Sequence, residues 1–164
     1  MAIGIGDPLP AVILREWTAD KPSEVPVSAL VGRHRVVLFG LPGAFTPTCS
    51  GRHLPGYLGL ADKFRLRKVD EIVCVAVNDV YVMGAWGKDQ QAAGKIRMLA
   101  DGNADFARAI GLEEDLSRHG MGLRSKRYSM LIDDGVVKTL NVEEPGRFEV
   151  SDAETMLYQL DRLR

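Results

Sequence analysis

The residues able to do chemistry are concentrated in one stretch, Pro42-Gly-Ala-Phe-Thr-Pro-Thr-Cys-Ser50. Cys49 stands where an apolar run, Val36-Val37-Leu38-Phe39, gives way to a predicted helix. A thiol at a helix start meets unpaired N–H groups and the positive end of the helix dipole, which favour thiolate over thiol. Thr46, three positions earlier, supplies a hydroxyl that can cap the turn and also hydrogen-bond a thiolate or a substrate oxygen. Pro42 and Pro47 serve as loop punctuation, and they also lack N–H donors and shield the sulfur, restricting access to a small reagent. The stretch therefore places an activated sulfur nucleophile.

Other candidate groups carry weaker signals. His53 follows Cys49 by four residues and shares its face in a regular helix. A Cys–His pair suits a hydrolase nucleophile with its base, or half a zinc site. The remaining zinc candidates, Cys74, His34 and His119, show no metal-ligand spacing, and no orienting Asn or Asp for a hydrolase is identifiable. The expectation for His53 is accordingly a polar residue on a helix face. Cys74 lies within Ile-Val-Cys-Val-Ala-Val and reads as a small buried hydrophobe. Gly4-x-Gly6 and Gly120-x-Gly122 lack the rest of any phosphate-binding pattern.

The elements that must position Cys49 follow from hydrophobic patterning. Residues 1–35 read as an irregular, Pro-rich opening with short strand-like pieces such as Ala11–Leu14. Arg35–Phe39 and Glu71–Val77 read as buried strands, and Ile96–Ala100 as a short one. Helical spacing runs from Thr48 to Lys68, with Pro55 expected to kink it or end its first piece. Val80–Lys88 and Asp105–Ile110 are predicted helices. Arg127–Ile132 and Val136–Asn141 flank Asp133-Asp134-Gly135 as a hairpin, and Ser151-Asp152 caps a last helix to about Leu163. A β-α-β-α-β series closed by β-β-α predicts an α/β thioredoxin-like fold, with a mixed central sheet and helices on both faces. The nucleophile then sits at the C-terminal edge of a central strand.

Composition bounds the rest. A chain of 164 residues fits a single domain, 1–164, with no linker or internal repeat. Twenty-one Lys and Arg against 22 Asp and Glu leave a net charge of −1, which argues against a nucleic-acid or anionic-membrane surface. No apolar stretch is long enough to span a bilayer. The opening Met-Ala-Ile-Gly-Ile-Gly-Asp-Pro has no basic leader, and two cysteines suit a reducing compartment, so the expected location is cytoplasmic.

Phe39-Gly-Leu-Pro-Gly-Ala-Phe-Thr-Pro-Thr-Cys-Ser50 closely resembles the active-site loop of peroxiredoxins, in the subgroup of plant type II and animal type V enzymes. The likeness continues through Arg52-His-Leu-Pro-Gly-Tyr57, Ala76-Val-Asn-Asp79, Gly84-Ala-Trp-Gly87, Arg127-Tyr-Ser-Met130 and Asp134–Val142. It implies a thiol-dependent peroxidase acting on hydrogen peroxide and small alkyl hydroperoxides. On this resemblance Cys49 is the peroxidatic cysteine, Thr46 hydrogen-bonds the sulfur and peroxide, and Pro42 shelters the sulfenic acid. Arg127 becomes the active-site arginine, although on composition alone it belongs to a solvated basic cluster, Arg124-Ser-Lys-Arg127. Thr48 replaces a glycine common in the family and narrows the approach to the substrate-binding group of Thr46, Thr48, Cys49 and Arg127.

The resemblance further implies no metal or organic cofactor, and a homodimer with its interface near the active-site loop and Val80–Trp86. Some relatives carry a resolving thiol late in the chain, but Glu144–Asp152 contains no cysteine. A one-cysteine mechanism follows, with glutathione and glutaredoxin the favoured reductant and thioredoxin the lesser one. The alternatives are a redox sensor or relay, and a thioredoxin-recycled enzyme with Cys74 as resolving cysteine. Lowering a thiol pKa from about 8.5 to about 6 gains only some 30-fold in thiolate. Efficient peroxide reduction therefore needs donors aimed at the moving charge.

Overall fold

The computed structural model describes residues 1–32 and 34–163. In chain order the strands are β1 Ile13–Thr18, β2 Lys21–Pro26, β3 Arg35–Leu41, β4 Glu71–Ala76, β5 Arg97–Ala100, β6 Glu113–Asp115, β7 Leu123–Ser125, β8 Tyr128–Asp133 and β9 Val136–Val142. The helices are α1 Val27–Val31, α2 Leu54–Leu66, α3 Val80–Asp89, α4 Asp105–Ala109 and α5 Ala153–Arg162. Seven strands form one sheet in the order β2-β1-β5-β4-β3-β8-β9, with β6 and β7 pairing separately. The contacts of β3 with β4 and of β4 with β5 are parallel, and the outer pairings are antiparallel. This is the predicted mixed sheet of a thioredoxin-like fold.

Alternation along the central strands divides the core in two. Val37, Phe39, Leu41, Cys74 and Ala76 face α2, α3 and α5, together with Cys49, Tyr57, Met83, Trp86 and Met156. Val36, Leu38, Val73 and Val75 face the other way, packing with Val27 and Leu30 of α1 and Phe106 of α4. Helices therefore cover both faces, and the apolar area they bury is the main stabilising term of the fold.

Register delivers the arginine to the cysteine. β3 runs antiparallel to β8, with Gly40 opposite Tyr128. A Cβ on Gly40 would lie 2.2 Å from Tyr128 Cε1, so glycine is what lets the buried tyrosine ring cross β3 there. Arg127, one residue before Tyr128, thereby reaches the C-terminal end of β3, where the Pro42–Ser50 loop begins.

The opening segment departs from expectation. Residues 13–26 form a β-hairpin, followed by a short helix, rather than irregular chain. Its two-residue turn, Ala19-Asp20, takes left-handed φ values of 51° and 61° without a glycine or asparagine to announce it. The helix after the active loop breaks near Pro55. Cys49–His53 winds more widely than an α-helix, and the N–H of Leu54 reaches back to the carbonyl of Cys49. Pro55 then sits in the first turn of α2, where its missing N–H costs least.

Candidate active site

The loop after β3 is held from three sides. The backbone N–H of Ala44 donates to Asn78 Oδ1 at 2.9 Å, tying the loop to the end of β4. The Thr46 hydroxyl donates to the Gly43 carbonyl at 2.7 Å, closing a tight turn. Between them Phe45 takes a φ of +64°, rare for a bulky residue, with its ring half exposed. Pro47 and Thr48 are already helical, and the N–H of Ser50 makes the first helical bond to the Thr46 carbonyl at 2.9 Å. Thr48 and Cys49 thus lie in the first turn, where N–H groups point outward along the helix axis. From α3, Trp86 Nε1 donates to Ser50 Oγ at 2.9 Å, and Gln90, just past the end of that helix, donates through Nε2 to the Ser50 carbonyl at 3.3 Å.

Cys49 is fully buried. Arg127 Nη2 donates to its Sγ at 3.2 Å, and Nη1 lies 2.9 Å from His53 Nδ1. A guanidinium can only donate, so Nδ1 is the acceptor and Nε2 carries the hydrogen. That hydrogen goes to the Ser151 carbonyl at 3.1 Å, which also accepts from Tyr57 Oη at 3.0 Å. The His53 ring has no solvent exposure and lies between Phe39 and Phe148, with centroids 4.8 and 5.0 Å away. Burial, reinforced by the Arg127 charge, holds its pKa down at about 3, against the Ser151 bond. His53 is therefore neutral at physiological pH.

The loop carrying Ser151 is fixed in turn by Glu143. Its carboxylate accepts from the N–H groups of Glu149, Val150 and Ser151 at 2.8–2.9 Å and from Ser151 Oγ at 2.7 Å. Burial alone would raise the Glu143 pKa, but these four donors outweigh it and hold the carboxyl below its ordinary value. Phe148, on the same loop, packs under two cations, with Arg52 Cζ 4.8 Å and Arg127 Cζ 5.7 Å from its centroid.

A cleft of about 170 Å³ opens beside this group, lined among others by Pro42, Thr48, Arg52, Lys126, Arg127 and Phe148. It is well below the size of a drug-binding pocket, about 300–1,000 Å³. A larger recess of about 590 Å³ between α2 and the 148–155 segment shares Arg52 and Phe148 but includes none of Cys49, Thr46 or Arg127. The smaller cleft is the one that meets the sulfur's partner.

Pro42, Thr46, Thr48, Cys49 and Arg127 thus come together around the loop. Thr46 differs in one respect from the expectation: its hydrogen goes to Gly43, and the contact to sulfur is made by Arg127. What Thr46 offers a ligand is its lone pairs. His53 does share a face with Cys49, but that face is the buried one, so the expected polar surface role does not hold. Both ring nitrogens of His53 are engaged, neither with the sulfur. Cys74 is buried in β4 on the Cys49 side of the sheet, with its pKa raised well above the usual thiol range by desolvation. Glu143 and Phe148 were not anticipated by sequence reasoning, and Ser151 and Trp86 entered it only as part of a helix cap and of the Gly84-Ala-Trp-Gly87 likeness, because each acts across a long stretch of chain.

Residues 5–157 match the Redoxin family. Peroxiredoxin-2C from Oryza sativa subsp. japonica is 43% identical over 159 residues, covering 96% of this chain and 98% of that protein. Among solved structures, reduced Prx3 from Vibrio vulnificus in complex with H2O2 is 52% identical with a TM-score of 0.93, covering 96% of this chain and 99% of that one. Peroxiredoxin 5 from Alvinella pompejana is 38% identical with a TM-score of 0.86, over 98% and 99% of the two chains. A cysteine at a helix start under an arginine, on a redoxin sheet matched end to end by these relatives, places the chain in the peroxiredoxin family of thiol peroxidases.

Proposed function

We propose that the protein reduces hydrogen peroxide and small alkyl hydroperoxides with Cys49 as nucleophile, by a one-cysteine mechanism recycled by an external thiol. The observation that carries this reading is the 3.2 Å contact of Arg127 Nη2 with a fully buried Cys49 Sγ, Arg127 itself lining a small cleft. The Cys49 thiolate attacks the terminal oxygen of the hydroperoxide, forming S–O as O–O breaks. The sulfur is oxidised to sulfenic acid, the peroxide is reduced, and the departing oxygen takes a proton to leave as alcohol or water.

Arg127 supplies a positive charge on the path along which negative charge moves from sulfur to the leaving oxygen. The Thr46 hydroxyl, its hydrogen committed to Gly43, accepts the O–H of the incoming hydroperoxide. Pro42 and Thr48 line the cleft and limit it to small substrates, and Pro42 shelters the sulfenic acid. Removing one preorganised donor in such a site costs about 10²–10³ in rate. The test is the second-order reaction of fully reduced protein with hydrogen peroxide. Reaction no faster than that of a free thiol would overturn the reading.

Glutathione is the reductant we favour, with glutaredoxin releasing it and thioredoxin the lesser alternative. Arg52 and Lys126, which share the cleft lining with Glu114, Glu143 and Glu144, are the cations that suit its carboxylates. A homodimer is proposed across the active-site loop and α3, where Phe45, Tyr81 and Trp17 expose aromatic surface. Two unpaired cysteines support placing the protein in the reducing cytoplasm.

A further inference from the structure

A second arginine reaches the nucleophile loop, and the mechanism above gives it no part. Arg124 lies in β7, three residues before Arg127, in what the sequence presents as a solvated basic cluster. Its guanidinium is instead partly buried and spans two backbone carbonyls. Nε donates to the Met121 carbonyl at 2.8 Å, and Nη1 to the Pro42 carbonyl at 3.5 Å. Among the described residues Arg124 forms no ion pair, although the β6–β7 pairing sets it opposite Glu114. Gly43 shows how closely the two segments meet. A Cβ there would lie 2.9 Å from Arg124 Nη1, closer than real Cβ atoms come, whereas Thr46 Cγ2 and Met121 Cε stand at the ordinary distances of 3.5 and 3.6 Å. Gly43 is buried and its φ is not left-handed, so the room its missing side chain leaves is taken by the guanidinium.

We propose that Arg124 is a positioning residue for the reaction, latching the Pro42–Gly43 corner of the nucleophile loop to the 116–125 segment and so fixing where Pro42 and Thr46 stand relative to Cys49. The proposal rests on the peroxidase reading of Cys49. The Pro42 carbonyl held by Arg124 is followed along the chain by that of Gly43, which accepts from the Thr46 hydroxyl at 2.7 Å. A corner free to shift would carry that acceptor with it, and the lone pairs that Thr46 offers the hydroperoxide would turn away. Pro42 itself lines the cleft and would move as well. The anchor at the other end is closed on itself, since the Met121 N–H donates to the Leu116 carbonyl at 3.1 Å and the Leu116 N–H to the Gly122 carbonyl at 2.7 Å. Ala44 with Asn78 and Ser50 with Trp86 hold the loop further along, and Arg124 holds it where it leaves β3. A guanidinium suits this task because its rigid planar fork donates in two directions at once, which a single ammonium on a flexible stem does not do.

Gly43 supplies the test. In Gly43→Ala the guanidinium, at the end of a flexible side chain, is the group that gives way, so the substitution breaks the latch without changing Arg124 itself. Two rates are measured on reduced protein: the second-order reaction with hydrogen peroxide by stopped flow, and alkylation of Cys49 by iodoacetamide, located by peptide mass. Arg124→Ala should slow the peroxide reaction about 10- to 10²-fold, the cost of reacting groups misplaced by about an ångström. Alkylation of the fully buried Cys49 should speed up at the same time, because a loosened loop admits the reagent. Gly43→Ala should shift both rates in the same directions. The Gly43→Ala/Arg124→Ala double variant should stay within about threefold of Arg124→Ala, since nothing is left to displace. Arg124→Lys keeps the charge without the fork and should recover only part of the peroxide rate. The proposal is overturned if Arg124→Ala reacts within about threefold of wild type, if the two substitutions multiply in the double variant, or if lysine restores the rate in full. It is overturned equally if peroxide reduction and alkylation fall together, which would mean lost thiolate rather than a displaced loop. Should Gly43→Ala not fold, the opposed rates of Arg124→Ala and the lysine variant decide. Wild-type protein inert to peroxide would remove the peroxidase reading and this proposal together; reactive wild type with indifferent Arg124 variants would remove this proposal alone.

Discussion

The indole N–H of Trp86 donates to Ser50 Oγ at 2.9 Å, joining α3 to the residue directly after the nucleophile. Trp86 is fully buried, whereas the other tryptophan, Trp17, lies partly exposed against Tyr81 with centroids 5.6 Å apart. Any change at Cys49 that shifts the wide helical turn must alter the Trp86 environment. One equivalent of peroxide should therefore change the intrinsic fluorescence of the reduced protein. The change should survive Trp17→Phe and vanish in Trp86→Phe. A signal that follows Trp17 instead would show that oxidation is not felt through Ser50.

Arg127→Ala should slow the reaction with hydrogen peroxide by about 10²-fold or more, because it removes a charged donor from the atoms between which charge moves. Arg127→Lys should recover only part of this. An ammonium keeps the charge but lacks the planar fork that reaches Sγ and His53 Nδ1 together. The check is a stopped-flow rate without any recycling thiol, so that only the chemical step is read. An unchanged rate would return Arg127 to the basic cluster of its sequence neighbours.

His53 also gives stability a pH dependence of known sign. Its pKa is about 3 folded and 6.5 unfolded, so at any pH between these values the unfolded chain binds a proton that the folded one does not. The contribution is complete above about pH 6.5 and is lost as pH falls towards about 3, at about 1.4 kcal/mol per pH unit. Between pH 6.5 and about 5, before carboxylates titrate, wild type should lose about 2 kcal/mol relative to His53→Asn. Urea unfolding at the two pH values measures this, and the exposed His34 and His119 cancel in the comparison. Parallel stability curves for the two proteins would mean that the folded state accepts the proton without cost.

What the sequence reveals here is what is encoded locally. The nucleophile loop, the alternating faces of β3 and β4, and the Asp134-Gly135 turn of the last hairpin each carry their signal in adjacent residues. The β1–β2 hairpin does not, since Ala19 adopts a left-handed φ that its identity does not favour, leaving Asp20 as the one turn signal. The three-residue strands β6 and β7 are too short to show a period. His53 illustrates a deeper limit. Spacing places it on the face of Cys49, but whether that face is wet depends on Phe148 and Ser151, nearly a hundred residues away. Arg127 is hidden for the same reason: in sequence it sits among cations, and only the β3–β8 register brings its guanidinium to the Cys49 sulfur.

Cys49 and Cys74 are both unpaired and both buried on one side of the sheet, so the competing possibility is an internal disulfide between them. Cys74 pairs in register with Phe39, near the middle of β4, and its side chain is enclosed by the apolar cluster. Bridging needs Cα atoms within about 7 Å and facing Cβ vectors, so the Cys49 turn would have to bring its sulfur to a side chain fixed in a central strand. Desolvation also holds Cys74 as a thiol rather than the thiolate that would attack a sulfenic acid. Peroxide alone should therefore add one oxygen to the intact protein, and peroxide with glutathione should add glutathione at Cys49. Cys74→Ser should lose about 1–3 kcal/mol of stability from its buried hydroxyl, yet retain turnover with glutathione and glutaredoxin. Cys49→Ser should fold and be inactive, because an alcohol does not ionise near neutrality. Intact-mass and peptide analysis decides between the schemes: loss of two hydrogens with a Cys49–Cys74 cross-linked peptide would replace the one-cysteine mechanism with an internal disulfide.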